Sequence, residues 1–216
     1  MKKRIKEMLL AYYVGRQNKV IKDDHIYYPC IQEMALIDIV NICETDINSI
    51  VRDEYLYKWG GMGRVLGQID KYPDWESNLM SSIRRYAYIF EHFRLFDIAT
   101  TDLKNYKQEI ILCYESLQKL TGRVASVKIL HLICPKFFPL WDSSIIKGIS
   151  AEIKFDDKNS PSGEDYLRYM QTIKNILEEN ADMIDSLAKH FKKDKLKIID
   201  ELLMWVTQRP FSIFIS

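Results

Sequence analysis

The chain has 216 residues, 47% hydrophobic and 12% aromatic, enough to bury a substantial core in one domain or two small lobes. A net charge of +1, charges spread along the chain, and only 8 Gly and 6 Pro exclude a disordered polyelectrolyte and disfavour a turn-rich sheet protein. No run approaches the roughly 18 apolar residues that span a bilayer, and the apolar run Met8–Ala11 is too short for a secretory signal.

In chain order, a first helix is expected over residues 3–15, ending near Gly15. After a mixed stretch through His25 to Pro29, the spacing of Met34, Ala35, Ile37, Ile39 and Val40 predicts a buried helix over 31–40. Thr45 or Asp46 is placed to cap a short helix through Ile47, Ile50 and Val51. The run Trp59-Gly60-Gly61-Met62-Gly63-Arg64 holds three of the eight glycines and must bend sharply. A long helical pattern follows over 75–98, through Leu79, Ile83, Tyr86, Phe90, Phe93 and Leu95. Asp102 is placed to cap the next helix, with Tyr106, Ile110, Cys113 and Leu117 on its inner stripe. Past a polar segment at 155–163, read as a mobile linker or lobe boundary, helices are expected at about 164–178, 181–191 and 195–207. An apolar tail from Pro210 is placed to dock back on the body. The fold class is all-α: one unit over 1–216, or two lobes with a cleft between them.

The four cysteines, Cys30, Cys43, Cys113 and Cys134, form no CxxC pair, which points to buried thiols in a reducing, cytoplasmic setting. Neither they nor His25, His92 and His190 share zinc-ligand spacing, so no metal is expected, and no nucleotide-binding loop or cofactor fingerprint occurs. Two basic clusters, Lys2-Lys3-Arg4 with Lys6, and Lys189 through Lys197, read either as nucleic-acid faces or as solvated helix surfaces.

Chemistry concentrates in residues 117–148, LQKLTGRVASVKILHLICPKFFPLWDSSIIKG. A helix is expected to end at Thr121-Gly122 and a small-residue helix to restart through Ala125 and Ser126. A loop rich in Pro and Phe follows, and Asp142 opens another helix. Taken alone, Asp142 fits a helix N-cap, Gly122 a C-cap, and His131 a hydrogen-bonded core histidine.

The order of these features resembles the core of the helix-hairpin-helix DNA glycosylase superfamily. The resemblance implies a double-stranded DNA partner, a flipped base, and Asp142 as the essential carboxylate. Counting back from Asp142, Gly122 falls on the second hairpin glycine, Leu120 replaces the first, Arg123 follows, and Ser126 stands for a small alanine. Val124 falls where lyase-type members carry a Schiff-base lysine, so the resemblance implies a monofunctional enzyme using water, without cofactor. Lys128 and His131 are second-rank catalytic candidates. Gly122, Arg123 and Ser126, with Gly61, Gly63 and Arg64 of the glycine run, are the DNA-contact candidates, and Trp59, Tyr57 and Trp141 are the base-pocket candidates. A monomer is expected. A DNA-binding module without catalysis, or a helical protein-interaction domain, are the alternatives.

Overall fold

A computed structural model describes residues 5, 7–10, 12–13, 24–69, 74–149 and 161–208, with backbone alone at 68–69, 147–149 and 205–208. The basic start of the chain, residues 155–160 of the polar segment and the apolar tail lie outside the described residues.

The first full helix, α1 (Asp24–Leu36), buries Tyr27, Cys30 and Met34, a helical stripe. It starts before Pro29, which lies inside it on the exposed side, and it stops short of the predicted end. The Asp38 carboxylate accepts from the Val40 N–H at 3.0 Å. That local bond gives the backbone a 3-10 turn, Ile39–Asn41, in place of more α-helix.

Next, the Cys43 N–H donates to the Asp46 carboxylate at 2.9 Å and opens a short turn, Glu44–Asp46. Asp46 is also the residue before the next helix, at φ −63°, ψ −43°, but its side chain caps this turn and makes no cap bond to that helix. The chain continues as a π-helix, Ile47–Trp59, burying Ile47, Ile50, Val51, Tyr55 and Leu56. Such wide turns are rare and concentrate at functional sites.

After α2 (Gly63–Ile69), the long helix expected over 75–98 is two helices, α3 (Trp75–Arg85) and α4 (Ala87–Arg94), broken at Tyr86 (φ −109°, ψ 17°). No Gly or Pro marks the break. Across it, Arg84 Nε donates to the Ile42 carbonyl at 2.8 Å, and the Arg94 guanidinium takes the carbonyls of Met34 (2.7 Å) and Ile37 (2.9 Å). Those carbonyls lie in the last turn of α1 (Met34, which also accepts from the Ile37 N–H at 3.2 Å) and in the turns just beyond it (Ile37 and Ile42), so contacts distant in sequence hold both helices in place.

Asp102 caps a 3-10 turn, Leu103–Tyr106, with the Lys104 N–H on its carboxylate at 3.1 Å. The turn leads into α5 (Lys107–Ile133), whose second half is buried nearly all round: Ala125 to Val127 and Ile129 to Ile133. A helix apolar on every side belongs in the middle of a core. Accordingly α5 packs against α1, the π-helix, α3, α4 and α7. The remaining helices are α6 (Ser143–Ile149), α7 (Gly163–Glu179), α8 (Ala181–Phe191) and α9 (Lys195–Gln208). Ser162 and Asp165 close a reciprocal capping box on α7. No strand occurs among the described residues, so the fold is all-α, and one contiguous core runs from Ile5 to Leu203.

Candidate active site around Gly122, Asp142 and Lys128

The predicted gap between two helices at Gly122 shrinks to a single residue. Helical structure runs through Lys107–Ile133, and Gly122 alone leaves it, at φ 79°, ψ 169°. That backbone region is essentially closed to residues with a Cβ. Two residues earlier, where the resemblance puts the first hairpin glycine, stands Leu120, which has no access to such angles, so one break is all this sequence forms.

The break and the acid come together in space. Arg123 Nη2 donates to Ser143 Oγ at 3.3 Å, and Trp141 Nε1 donates to the Arg123 carbonyl at 3.0 Å. Asp142 lies between those two partners, half-buried, and caps α6. Its Oδ1 accepts from the N–H groups of Ser144 (2.7 Å) and Ile145 (2.8 Å). Both bonds satisfy backbone N–H groups at the start of α6 that have no intrahelical partner. Oδ2 has no hydrogen-bond partner among the described residues.

The loop that delivers Asp142 is fixed carbonyl by carbonyl. The Ile98 N–H donates to the Lys136 carbonyl (3.1 Å), His131 Nδ1 to Phe138 (2.7 Å), Tyr166 OH to Pro139 (2.9 Å) and Tyr169 OH to Leu140 (2.5 Å). Three of those donors are fully buried side chains, so the loop is held from within the core. A carbonyl only accepts, so Nδ1 carries the His131 proton and Nε2 accepts from Tyr27 OH at 2.6 Å. Burial pushes this imidazole down to about 3, against the raising effect of the Phe138 bond. His131 is therefore a neutral positioning residue in the core.

Lys128, a second-rank candidate from the sequence, is tied into this site. Its ammonium donates to the Gly60 carbonyl at 2.8 Å and sits 5.0 Å from the Trp59 ring centroid. Burial lowers its pKa to about 8, while the Asp200 and Asp142 carboxylates oppose that shift and Lys197 adds to it. The Asp200 carboxyl is raised by burial and held partly in check by Lys197, whose Nζ lies 3.2 Å from it. Lys197 is also 4.9 Å from the Trp59 ring. Lys128 thus ties the start of the glycine run, 68 residues away, to the neighbourhood of Asp142.

The other candidates divide by exposure. Trp141 is 1% exposed among Tyr114, Tyr166 and Tyr169, and Ser126 is fully buried with its hydroxyl on the Arg123 carbonyl, so neither offers a surface to DNA. Trp59 is partly buried, stacked on Tyr55 at 4.6 Å between centroids and flanked by two ammonium groups. Tyr57 is 58% exposed, and Gly61 (φ 62°), Gly63 and Arg64 are exposed beside it. The residue that the sequence reading passed over is Gly60. A Cβ there would meet the Leu56 carbonyl oxygen at 2.6 Å and Lys128 Nζ at 3.1 Å.

No family model, curated protein or solved structure matches this chain. The site is therefore read from its own geometry.

Proposed function

We propose that this chain is a monofunctional DNA glycosylase that flips a damaged or modified base from duplex DNA and hydrolyses its bond to the sugar. The observation that carries the reading is the Asp142 carboxylate: one oxygen locked by two backbone N–H groups, the other without a partner among the described residues, on a loop clamped from the core. Cleavage of an N-glycosidic bond develops positive charge on the sugar. A fixed carboxylate beside that sugar stabilises the charge and orients the attacking water. Asp142 supplies the carboxylate, and the exposed Tyr57, Gly61, Gly63 and Arg64 supply the surface that meets the opened duplex. Formation of abasic sites in base-modified duplex DNA, lost in Asp142→Asn, is the test.

A second reading is favoured by the lowered Lys128 pKa, because a partly neutral amine is a nucleophile for an abasic sugar. The Gly60 carbonyl holds that nitrogen at 2.8 Å, so we expect no covalent adduct with DNA under borohydride. An adduct that forms in the wild type and vanishes in Lys128→Gln would assign a lyase instead.

A further inference from the structure

A cavity of about 470 Å³ opens where α1, α7, α8 and the start of α9 meet the loop that carries Asp142. Five lysines line it against two aspartates, Asp97 and Asp194. Lys193 is already engaged by Asp24 and Glu201, and Lys195 by Asp185. Lys136, Lys189 and Lys192 are exposed and have no ion pair among the described residues. Asp97 is occupied in its own turn, accepting from the Ala99 N–H at 2.8 Å. The lining is therefore a concave surface with three uncommitted ammonium groups from two separate elements.

Two further features mark it. Lys192 sits in the left-handed region (φ 54°, ψ 48°) at the end of α8, and its N–H and that of Lys193 return to the Lys189 and Ala188 carbonyls. Glycine or asparagine is the usual occupant of such a cap, because a Cβ is disfavoured there. Placing lysine at that position stations a charge on the cavity wall at a conformational cost. In addition, the buried Tyr28 hydroxyl, from the opposite wall, lies against the Asp194 backbone N–H, and its proton has no acceptor among the described residues. A buried O–H that donates to nothing is an exception that calls for an acceptor.

We propose that this cavity binds a phosphate group, held by Lys136, Lys189 and Lys192 and by the Tyr28 hydroxyl. Three ammonium donors and one neutral O–H suit a tetrahedral dianion, and ammonium groups are strong point-charge partners for phosphate. The inference does not depend on the glycosylase reading, since it uses a different set of side chains. The group is either a backbone phosphate of DNA or part of a free phosphorylated compound.

The test is calorimetric titration of the full chain with inorganic phosphate at low ionic strength, followed by competition with an unmodified DNA duplex. Saturable binding at one site is expected, weakened about threefold or more by Lys189→Ala and by Lys192→Gly, the size of effect a partly exposed ion pair gives. Lys192→Gly installs the residue that its backbone angles favour, so it folds at least as well as the wild type. Lys119→Ala, on the exposed face of α5, should bind as the wild type does. If duplex displaces phosphate, the source is the DNA backbone. If phosphate binds and duplex does not displace it, the source is a small phosphorylated ligand. Absence of saturable binding, or affinities in Lys189→Ala and Lys192→Gly equal to the wild type, would overturn the proposal.

Discussion

Acidification below about pH 6.5 should strip stability from this protein at a rate of about 1.4 kcal/mol per pH unit through His131 alone. The imidazole is fully buried between the Tyr27 hydroxyl and the Phe138 carbonyl, and burial pushes its pKa down to about 3. The sign follows from which form the fold accepts. The unfolded chain takes up a proton near the ordinary histidine pKa, whereas the folded chain refuses it until far lower pH. The stabilisation is present in full above the unfolded value and is lost as pH falls between the two. Over the whole interval the loss is about 5 kcal/mol, and by about pH 4.5 it is already about 3 kcal/mol. That is a large part of the 5–15 kcal/mol typical of a whole domain. Glu201, which burial pushes up but which Lys197 and the bonds from Lys193 and Tyr12 hold below its ordinary value, adds to the acid sensitivity. Urea midpoints from neutral pH downward check this. His131→Leu should begin less stable, because Tyr27 and Phe138 lose their partner, and should then decline less steeply. Parallel slopes in the two proteins would remove His131 as the cause.

Gly60→Ala should cost about 3 kcal/mol, at the upper end for an overpacked site. The backbone angles at Gly60 (φ −73°, ψ −15°) are open to any residue, so the requirement is space. The added carbon would lie 2.6 Å from the Leu56 carbonyl oxygen and 3.0 Å from that of Tyr55. Neither oxygen can retreat, since the Gly60 N–H bonds Tyr55 at 2.7 Å and the Met62 N–H bonds Leu56 at 3.1 Å. Its third neighbour, Lys128 Nζ, would be pushed from the Gly60 carbonyl it now holds. Gly67→Ala is the matched control: it sits on the exposed side of α2, and its Cβ would meet nothing within 4 Å. That change should raise stability by about 0.5–1 kcal/mol by restricting the unfolded chain. Chemical denaturation of the pair separates the two effects, and a Gly60→Ala protein as stable as the wild type would show that the loop shifts freely.

The parts of the fold legible in the sequence are those set by local chemistry. The last three helices fall within a residue or two of their expected bounds, because amphipathic spacing and the punctuation around residues 162, 180 and 192–194 are local signals. Asp142 as a cap and Gly122 as a break were readable for the same reason. The break at Tyr86 was not, since Arg84 and Arg94 are anchored by carbonyls about 40 to 60 residues away. Nor was the π-helix, which has no composition of its own. Within the candidate site, aromaticity drew attention to Trp141, whose indole N–H finds its partner in the core. Lys128 was legible as a second-rank candidate, but its setting was not, because Gly60, Trp59 and Asp200 reach it from distant parts of the chain. Holding a charged ammonium there at neutral pH costs about 3 kcal/mol relative to an unburied lysine. Perturbed groups of that kind gather at functional sites.

Abasic-site formation in duplex DNA carrying damaged and modified bases, with Asp142→Asn assayed beside the wild type, decides whether the Asp142 carboxylate drives excision. Asparagine is as good an N-cap as aspartate, so the variant should keep its fold to within about 1 kcal/mol. It loses the charge that meets the developing cation, and removal of one such electrostatic contact lowers rates by about 10²–10³. The expected result is abasic sites from the wild type and a loss of at least that size in the variant, with unfolding curves nearly superimposed. Equal rates of excision in the two proteins, or no abasic sites from a folded wild type on any of these DNAs, would contradict it.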